Sequence, residues 1–488
     1  MDKIQNQPGC GVHFRFDMER NCGPMKALAG FVILLLLFFP RLAQAQQTRG
    51  GSVPPAFFGS VAQGTATSGV IPLSIADVID RALKYNLSMI VSEQESQVSK
   101  AARLRALSDL LPKVNGGVTE SVQQINLAAF GFGGFPGTPP VVGPFSVFDA
   151  RARYTHSVLD FKLLHDLRAA AERLNASSYS QQDVRELVVL IATNLYLESV
   201  AGASRVQAAR AQLTTAQAVY DRAVNLKDSG VAAGIDVLRA QVQLQAQRQR
   251  VLALENELAK EKLSLARAIG LPQGQEFSQT DGFLTGLPVL PNMEEALATA
   301  IDARPDYRRA TALIRAAEES RKSALGRSMP SVQVNADYGD IGRTPAFSHG
   351  TMTLQGTLSI PIYNGGRTRA ELLESEAILE QRRAEAANLR DRIEYEIRTA
   401  NLDIQSAAEQ VQVAQAAKDL AGQQLGQARD RFAAGVATSL EVVQAQEAIV
   451  TADENYISSL YALNLAQAAL ARAMGSAEKT IKTSFGGK

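Results

Sequence analysis

The chain has no tryptophan, and its two cysteines, Cys10 and Cys22, both lie near the start of its 488 residues. They precede an apolar run from Ala27 to Phe39, itself preceded by Arg15, Arg20 and Lys26 and followed by the small-x-small sequence Ala43-Gln44-Ala45. That order reads as a secretory signal over residues 1–45, cleaved before Gln46, with Met18 and Met25 as alternative starts. The run is 13 residues long, short of the ~20 that a membrane-crossing helix needs, so an uncleaved anchor is the lesser reading. The mature chain is then expected to carry no disulfide, no reactive thiol and no lipid on a first cysteine, in an oxidising compartment. No later apolar stretch matches a transmembrane helix. If the protein spans a membrane, it must do so with strands closed into a barrel.

Charge of one sign is also missing. Lys and Arg number 50 and Asp and Glu 49, and removing residues 1–45 leaves 45 against 46, a balance without a nucleic-acid footprint. Mature histidines are only His156, His165 and His349, none with a partner at metal-ligand spacing. There is no Gly-x-Ser-x-Gly elbow and no phosphate loop. An enzyme is therefore not expected, nor a metal or cofactor.

Proline is absent between Pro144 and Pro272 and again after Pro361. Those gaps allow uninterrupted helices of about 70 residues, roughly 105 Å long, and alanine, glutamine, leucine and arginine fill them. The gaps correspond because the chain is one unit written twice. DSGVAAGIDVLRAQ (228–241) recurs as AAGVATSLEVVQAQ (433–446), and ARAIG (266–270) as ARAMG (471–475), both at an offset of 205. LSDLLPKV (107–114) matches LGRSMPSV (325–332) at 218, and SVLD (157–160) matches PIYN (361–364) at 204, which places an insertion in the first copy near residues 129–144. Two such copies describe a duplicated, pseudo-symmetric protomer.

Each copy predicts the same order. A helical stretch (about 73–110 and 292–328) ends at Pro112 or Pro330. Two strands joined by a Gly/Pro-rich loop follow. Then come a long helix (about 160–229 and 366–434), a Gly-containing tip and a return helix (about 235–269 and 439–474). The strand runs alternate: Val332, Val334, Ala336 and Tyr338 in one, Met352, Leu354, Leu358 and Ile360 in the next, and Phe148, Ala150, Ala152 and Tyr154 in the first copy. Segments of about 10 residues suit tilted outer-membrane strands. Four strands cannot close a membrane barrel, and open edges cannot face lipid, so the barrel must be shared between chains. The domain plan is a signal peptide (1–45), an extended N-terminus (46–71), a first repeat (72–270), a linker (271–291), a second repeat (292–476) and a mobile tail (477–488).

The motifs ARPDYRRA (303–310), PIYNGGR (361–367), FAAGVATSLEVVQAQ (432–446) and ALARAMG (469–475) are joined by ALKYNLSM (82–89), VLDFK (158–162), SGVAAGIDVLRAQ (229–241) and LARAIGLP (265–272) in the first copy. Together with the repeat, they resemble the TolC-like outer-membrane efflux family over about residues 72–476. The resemblance implies a mainly α protomer whose long helical hairpins form a periplasmic tunnel. Its four strands would join two other protomers' strands in a trimeric 12-stranded barrel. It also implies the partners: a homotrimer in outer-membrane lipid, a periplasmic adaptor and an inner-membrane transporter, serving as the passive exit duct of an efflux pump.

By the same resemblance the gate lies at the helical tips. Glu441, six residues after Gly435, is expected to face the pore as a ring of three carboxylates that favours cations. Gln444, on the same helical face, makes a second ring neutral where well-known members carry an acid. Asp236 occupies the equivalent place in the first copy. Its usual basic partner falls at Ala437 and its aromatic one at Phe432, which lacks a hydroxyl, so the latch must be weaker or built from other residues. The tips Gly230, Val231 and Gly234, and Gly435, Val436 and Thr438, are expected to reverse the chain and to seat the adaptor. Phe130, Phe132 and Phe135 in the external loop read as lipid-interface anchors rather than as a narrowing of the outer mouth. A type I protein-secretion channel and a periplasmic coiled-coil scaffold are the alternatives, and drug, metal ion and polypeptide all stay open as cargo.

Overall fold

The computed structural model describes residues 55–131, 137, 139–231, 233–286 and 291–485. The signal peptide expected over 1–45, and Phe132 and Phe135, lie outside the described residues.

Each repeat opens on a broken helix. In the first, β1 (Ile71–Leu73) leads into α1 (Ile75–Tyr85) and α2 (Leu87–Leu110). Ser74 and Asp77 form a reciprocal capping box at the start of α1. Asn86 ends α1 and caps α2: its Oδ1 accepts from the Ser88 N–H at 2.9 Å, while Nδ2 donates to Phe57 O at 2.7 Å and Ala268 O at 3.2 Å. In the second repeat α5 (Met293–Ala303) and α6 (Pro305–Gly326) break at Arg304, with Pro305 at the first helical position. The sequence pattern predicts each pair as one stretch. A polar cap inside a continuous amphipathic pattern does not disturb its period.

The long helices fall where the proline gaps place them. α3 spans Phe161–Asp228 and returns as α4 (Gly234–Ile269); α7 spans Arg367–Ala433 and returns as α8 (Ser439–Ala473). One stretch of α3 is long and apolar enough to cross a membrane, contrary to the expectation that no such stretch exists. Two thirds of it is buried inside the protein, and Val188, Val189, Ala192, Leu195, Tyr196 and Val200 are core residues. The segment is apolar on every side because its neighbours enclose it. Around it pack Ile75, Val78 and Ile79 of α1 and Leu265 and Ile269 of α4. The second repeat reproduces this with Ala296 and Ala300 of α5 against Ile393, Ile397 and Ile404 of α7 and Leu463 and Leu470 of α8.

Three segments outside the repeats pack back onto them. In the linker, β4 (Phe277–Gln279) pairs in parallel with β1, so it closes back on the start of the first repeat. Near the N-terminus Phe57 is buried and the Val61 N–H bonds Tyr85 O at 3.0 Å. The tail expected to be mobile instead forms α9 (Ala477–Phe485). Ala477 and Ile481 are buried, and Arg185 grips Glu478 with two bonds of 2.5 and 2.8 Å. Two apolar residues four apart are enough to dock one short helix, yet too few to show as a period.

The four remaining strands, β2 (Lys113–Asn126), β3 (Val141–Leu159), β5 (Ser331–Gly342) and β6 (Ser348–Ser359), form one antiparallel sheet in the order β2-β3-β5-β6. At 14, 19, 12 and 12 residues, they are longer than the expected ten.

Candidate functional site

Two parts of the structure carry chemistry that packing alone does not require. The first is the sheet. Its register stacks Val118, Ala150 and Asp340 in one row, Gly116, Ala152, Tyr338 and Met352 in the next, and Val114, Tyr154, Ala336 and Leu354 in a third. The rows between them hold Asn115, Arg153, Asp337 and Thr353, or Thr155, Asn335 and Gln355. One face is therefore mostly apolar and the other polar. Val114, Val118, Met352 and Leu354 are each about three-quarters exposed, so the apolar face is uncovered in the protomer. On the polar face Arg151 donates to Asp149 at 2.6 Å and across strands to Asp337 at 2.8 Å. Among the described residues both outer strands, β2 and β6, end the sheet with an unpaired edge.

The second part is the pair of hairpin tips. Both reversals are built alike. The Val231 N–H bonds Leu226 O and the Val436 N–H bonds Arg431 O, at 2.9 and 3.0 Å, with Gly230 and Gly435 at φ of 77° and 75°. This is the left-handed helix ending that glycine adopts without a Cβ penalty. Val231 and Val436 stand exposed at the two ends, and Val231 lies against Gly435, so the tips are side by side. Gly234 begins α4, and Thr438 precedes α8 without capping it through its side chain.

Asp236, in the first turn of α4, accepts a 2.7 Å hydrogen bond from the hydroxyl of Ser439, the first residue of α8. Arg239 stands 3.7 Å from the same carboxylate. A second tie crosses between the hairpins where Arg222 of α3 donates to Ala433 O at 2.7 Å. Glu441 is exposed in the first turn of α8, where the helix dipole favours its charge. It is not alone, because Arg431 of α7 stands 3.4 Å away. Gln444 is exposed one turn further on. Phe432 is buried with Val219, Ala223, Ala240, Val442 and Ala445 in a core that joins both hairpins. An aromatic without a hydroxyl is pulled into the apolar interior between small residues rather than held at a polar surface.

Ser439, Arg431 and Arg222 were not among the expected site residues. Ser439 carried a faint signal as a hydroxyl at a helix start, but its bond to a residue 203 positions away is tertiary. Among the described residues no group of three or more His, Cys, Asp or Glu is placed to hold a metal.

The protomer thus combines a two-faced sheet with a pair of helical hairpins of about 100 Å. Residues 296–476 match the family model described as outer membrane efflux protein. A pyoverdine export outer membrane protein, OpmQ, of Pseudomonas putida is 25% identical over 346 residues, covering 67% of this chain and 70% of that one. Its namesake in Pseudomonas aeruginosa is 25% identical over 409 residues, 82% and 84% of the two chains. The toluene efflux pump outer membrane protein TtgC of Pseudomonas putida is 22% identical over 334 residues, 63% and 64%. Among solved structures, a membrane protein from Pseudomonas aeruginosa superposes with a TM-score of 0.73 at 18% identity, over 88% of this chain and 97% of that one. The Neisseria gonorrhoeae MtrE outer membrane channel in its open state gives 0.71 at 16% identity, over 88% and 98%. The chain therefore has the fold of these outer membrane channels, and its similarity to the outer membrane efflux protein family is carried by residues 296–476.

Proposed function

We propose that three copies of this chain assemble into the outer-membrane exit duct of an efflux pump, gated at the hairpin tips. The observation that carries this is the sheet: one apolar face, one polar face and two open edges. Pairing β6 of one protomer with β2 of the next removes every edge and makes 12 strands from three sets of four. The apolar face then meets lipid, and the polar face with Arg151, Asp149 and Asp337 lines the lumen. Exposed apolar residues on α4 (Ile235, Leu238, Val242) and α7 (Leu402, Val413, Leu420) supply complementary strips for the same head-to-tail association. The exposed tips around Val231 and Val436 suit a periplasmic adaptor, which would connect the duct to an inner-membrane transporter. Entry into the periplasm through a signal peptide over 1–45 belongs to this reading. The relatives named for pyoverdine export and toluene efflux favour small molecules over polypeptides as cargo.

In this reading the Asp236–Ser439 bond is the latch that the family pattern left unassigned. A hydrogen bond to a charged group contributes about 1.5–3 kcal/mol, so Asp236→Ala is expected to raise open probability in planar bilayers by about tenfold or more. Ser439→Ala should act in the same direction. Glu441 and Arg431 set the charge at the entrance. Glu441→Gln leaves Arg431 unpaired, and the reversal potential in a salt gradient should move toward anions. A purified chain that stays a soluble monomer and forms no conductance would remove the channel reading. Conductance that is unchanged by these substitutions would remove only the gate assignment.

A further inference from the structure

Gly202 lies in the middle of α3, where glycine costs about 1 kcal/mol relative to alanine. Its φ is ordinary helical, so the reason for it is space. A Cβ at this position would overlap the carboxylate of Glu261, which reaches across from α4, and would press on Leu258. The glycine leaves a niche on α3, and the Glu261 carboxyl fills it. Within that niche Oε2 of Glu261 is buried and has no hydrogen-bond partner among the described residues.

The groups around the niche do not favour a negative charge. Glu198 faces it from α3 and Glu257 from α4, both carboxylates. The facing cation is Arg205 of α3, and its Nε is already committed to Glu454 of α8, at 3.0 and 3.2 Å from the two carboxylate oxygens. Tyr461 of α8 also faces the cluster, but its hydroxyl donates to Asn194 at 2.6 Å. Among the described residues none of these groups donates to Glu261 Oε2.

We propose that Glu261 and Gly202 form a proton-operated clamp between α3 and its return helix α4, closed when the carboxyl is protonated and loosened when it ionises. The inference does not depend on the channel reading. Burial, reinforced by Glu198 and Glu257, pushes the Glu261 carboxyl up to about 7, so the clamp titrates near neutrality. The folded form then holds a proton that the opened form, with an ordinary glutamate value near 4.3, releases. Protection is therefore greatest at low pH and is lost as pH rises from the ordinary glutamate range through about 7.

The test is amide hydrogen exchange on the full chain, read at α4 peptides around Glu261 at pH 6 and pH 8 after correction for intrinsic exchange. Local opening in the wild type is expected to increase about tenfold between the two. That is the ratio obtained from a closed-state value near 7 and an ordinary open-state value. Glu261→Gln keeps the shape without the titration and should hold the change below about twofold. Gly202→Ala expels the carboxyl from its niche and should abolish the same pH response even if it lowers protection at both pH values. A wild-type response equal to that of Glu261→Gln would overturn the clamp, and so would an undiminished response in Gly202→Ala.

Discussion

Replacing Arg304 by alanine is expected to destabilise the chain by about 3–5 kcal/mol, the cost of leaving a buried charge without its partner. Among the described residues Arg304 is the largest fully buried side chain. Its guanidinium forks onto both oxygens of Asp306 at 3.0 and 2.7 Å, reaches Glu396 at 2.5 Å and donates to Ala473 O at 3.2 Å. One residue thus ties the α5–α6 break to the middle of α7 and to the end of α8. Asp306, itself buried, also accepts from the Tyr307 N–H at 2.9 Å. Burial pushes the Asp306 carboxyl up, but the Arg304 bonds and charge more than offset it and hold the group below its ordinary value. A lowered carboxyl stabilises the fold above the ordinary aspartate range, and that contribution is lost as pH falls through the lowered value. Urea unfolding of the purified chain at pH 7 should show the full loss for Arg304→Ala, and the gap from wild type should narrow in strong acid. Arg304→Lys should fall in between, because an ammonium is a point charge and cannot make the fork. A midpoint for Arg304→Ala within error of wild type would mean that the network is dispensable.

Arg304 also shows where the sequence stops being readable. It stood in the ARPDYRRA motif, yet nothing in that string says that the arginine is buried or that Glu396, some 90 residues later, will meet it. What could be read were properties that a segment carries by itself: the proline gaps that bound α3 and α7, the alternation that defines two sheet faces, and the repeat that fixes their order. Pairings between segments were not readable. Ser439 became the partner of Asp236 only when two tips 203 residues apart came together. Phe432 was assigned by analogy with an aromatic at the same position, and the structure buries it because the neighbouring residues, Ala223, Ala240 and Ala445, are small. Short segments failed for a different reason. α9 has nine residues, about two and a half turns, and its docking depends on surfaces of α1 and α3 that its own composition does not report.

The largest expected effect on assembly comes from adjacent residues of β6 that differ only in the face they occupy. Leu354 shares a row with Ala336 and Tyr154, and Gln355 shares one with Asn335 and Thr155. If the apolar face meets lipid, Leu354→Arg places a charge near the middle of a strand that crosses the bilayer. Each such charge costs about 2–4 kcal/mol at the membrane midplane, and a trimer would carry three of them. Outer-membrane trimer, followed as a heat-modifiable band on gels of membrane fractions, should fall by at least about a hundredfold. Gln355→Arg adds the same side chain to the polar face, beside groups that already include Arg153 and Asp337, and should assemble at close to wild-type levels. The two variants gain the same charge on adjacent residues of one strand, so a large difference between them reports which face meets lipid. Equal assembly of both would mean that the apolar face is covered by protein and that the four strands do not form a membrane barrel. Loss of Gln355→Arg with retention of Leu354→Arg would reverse the inside and outside of the sheet, placing Arg151 and its two aspartates against lipid, where no water remains to solvate them.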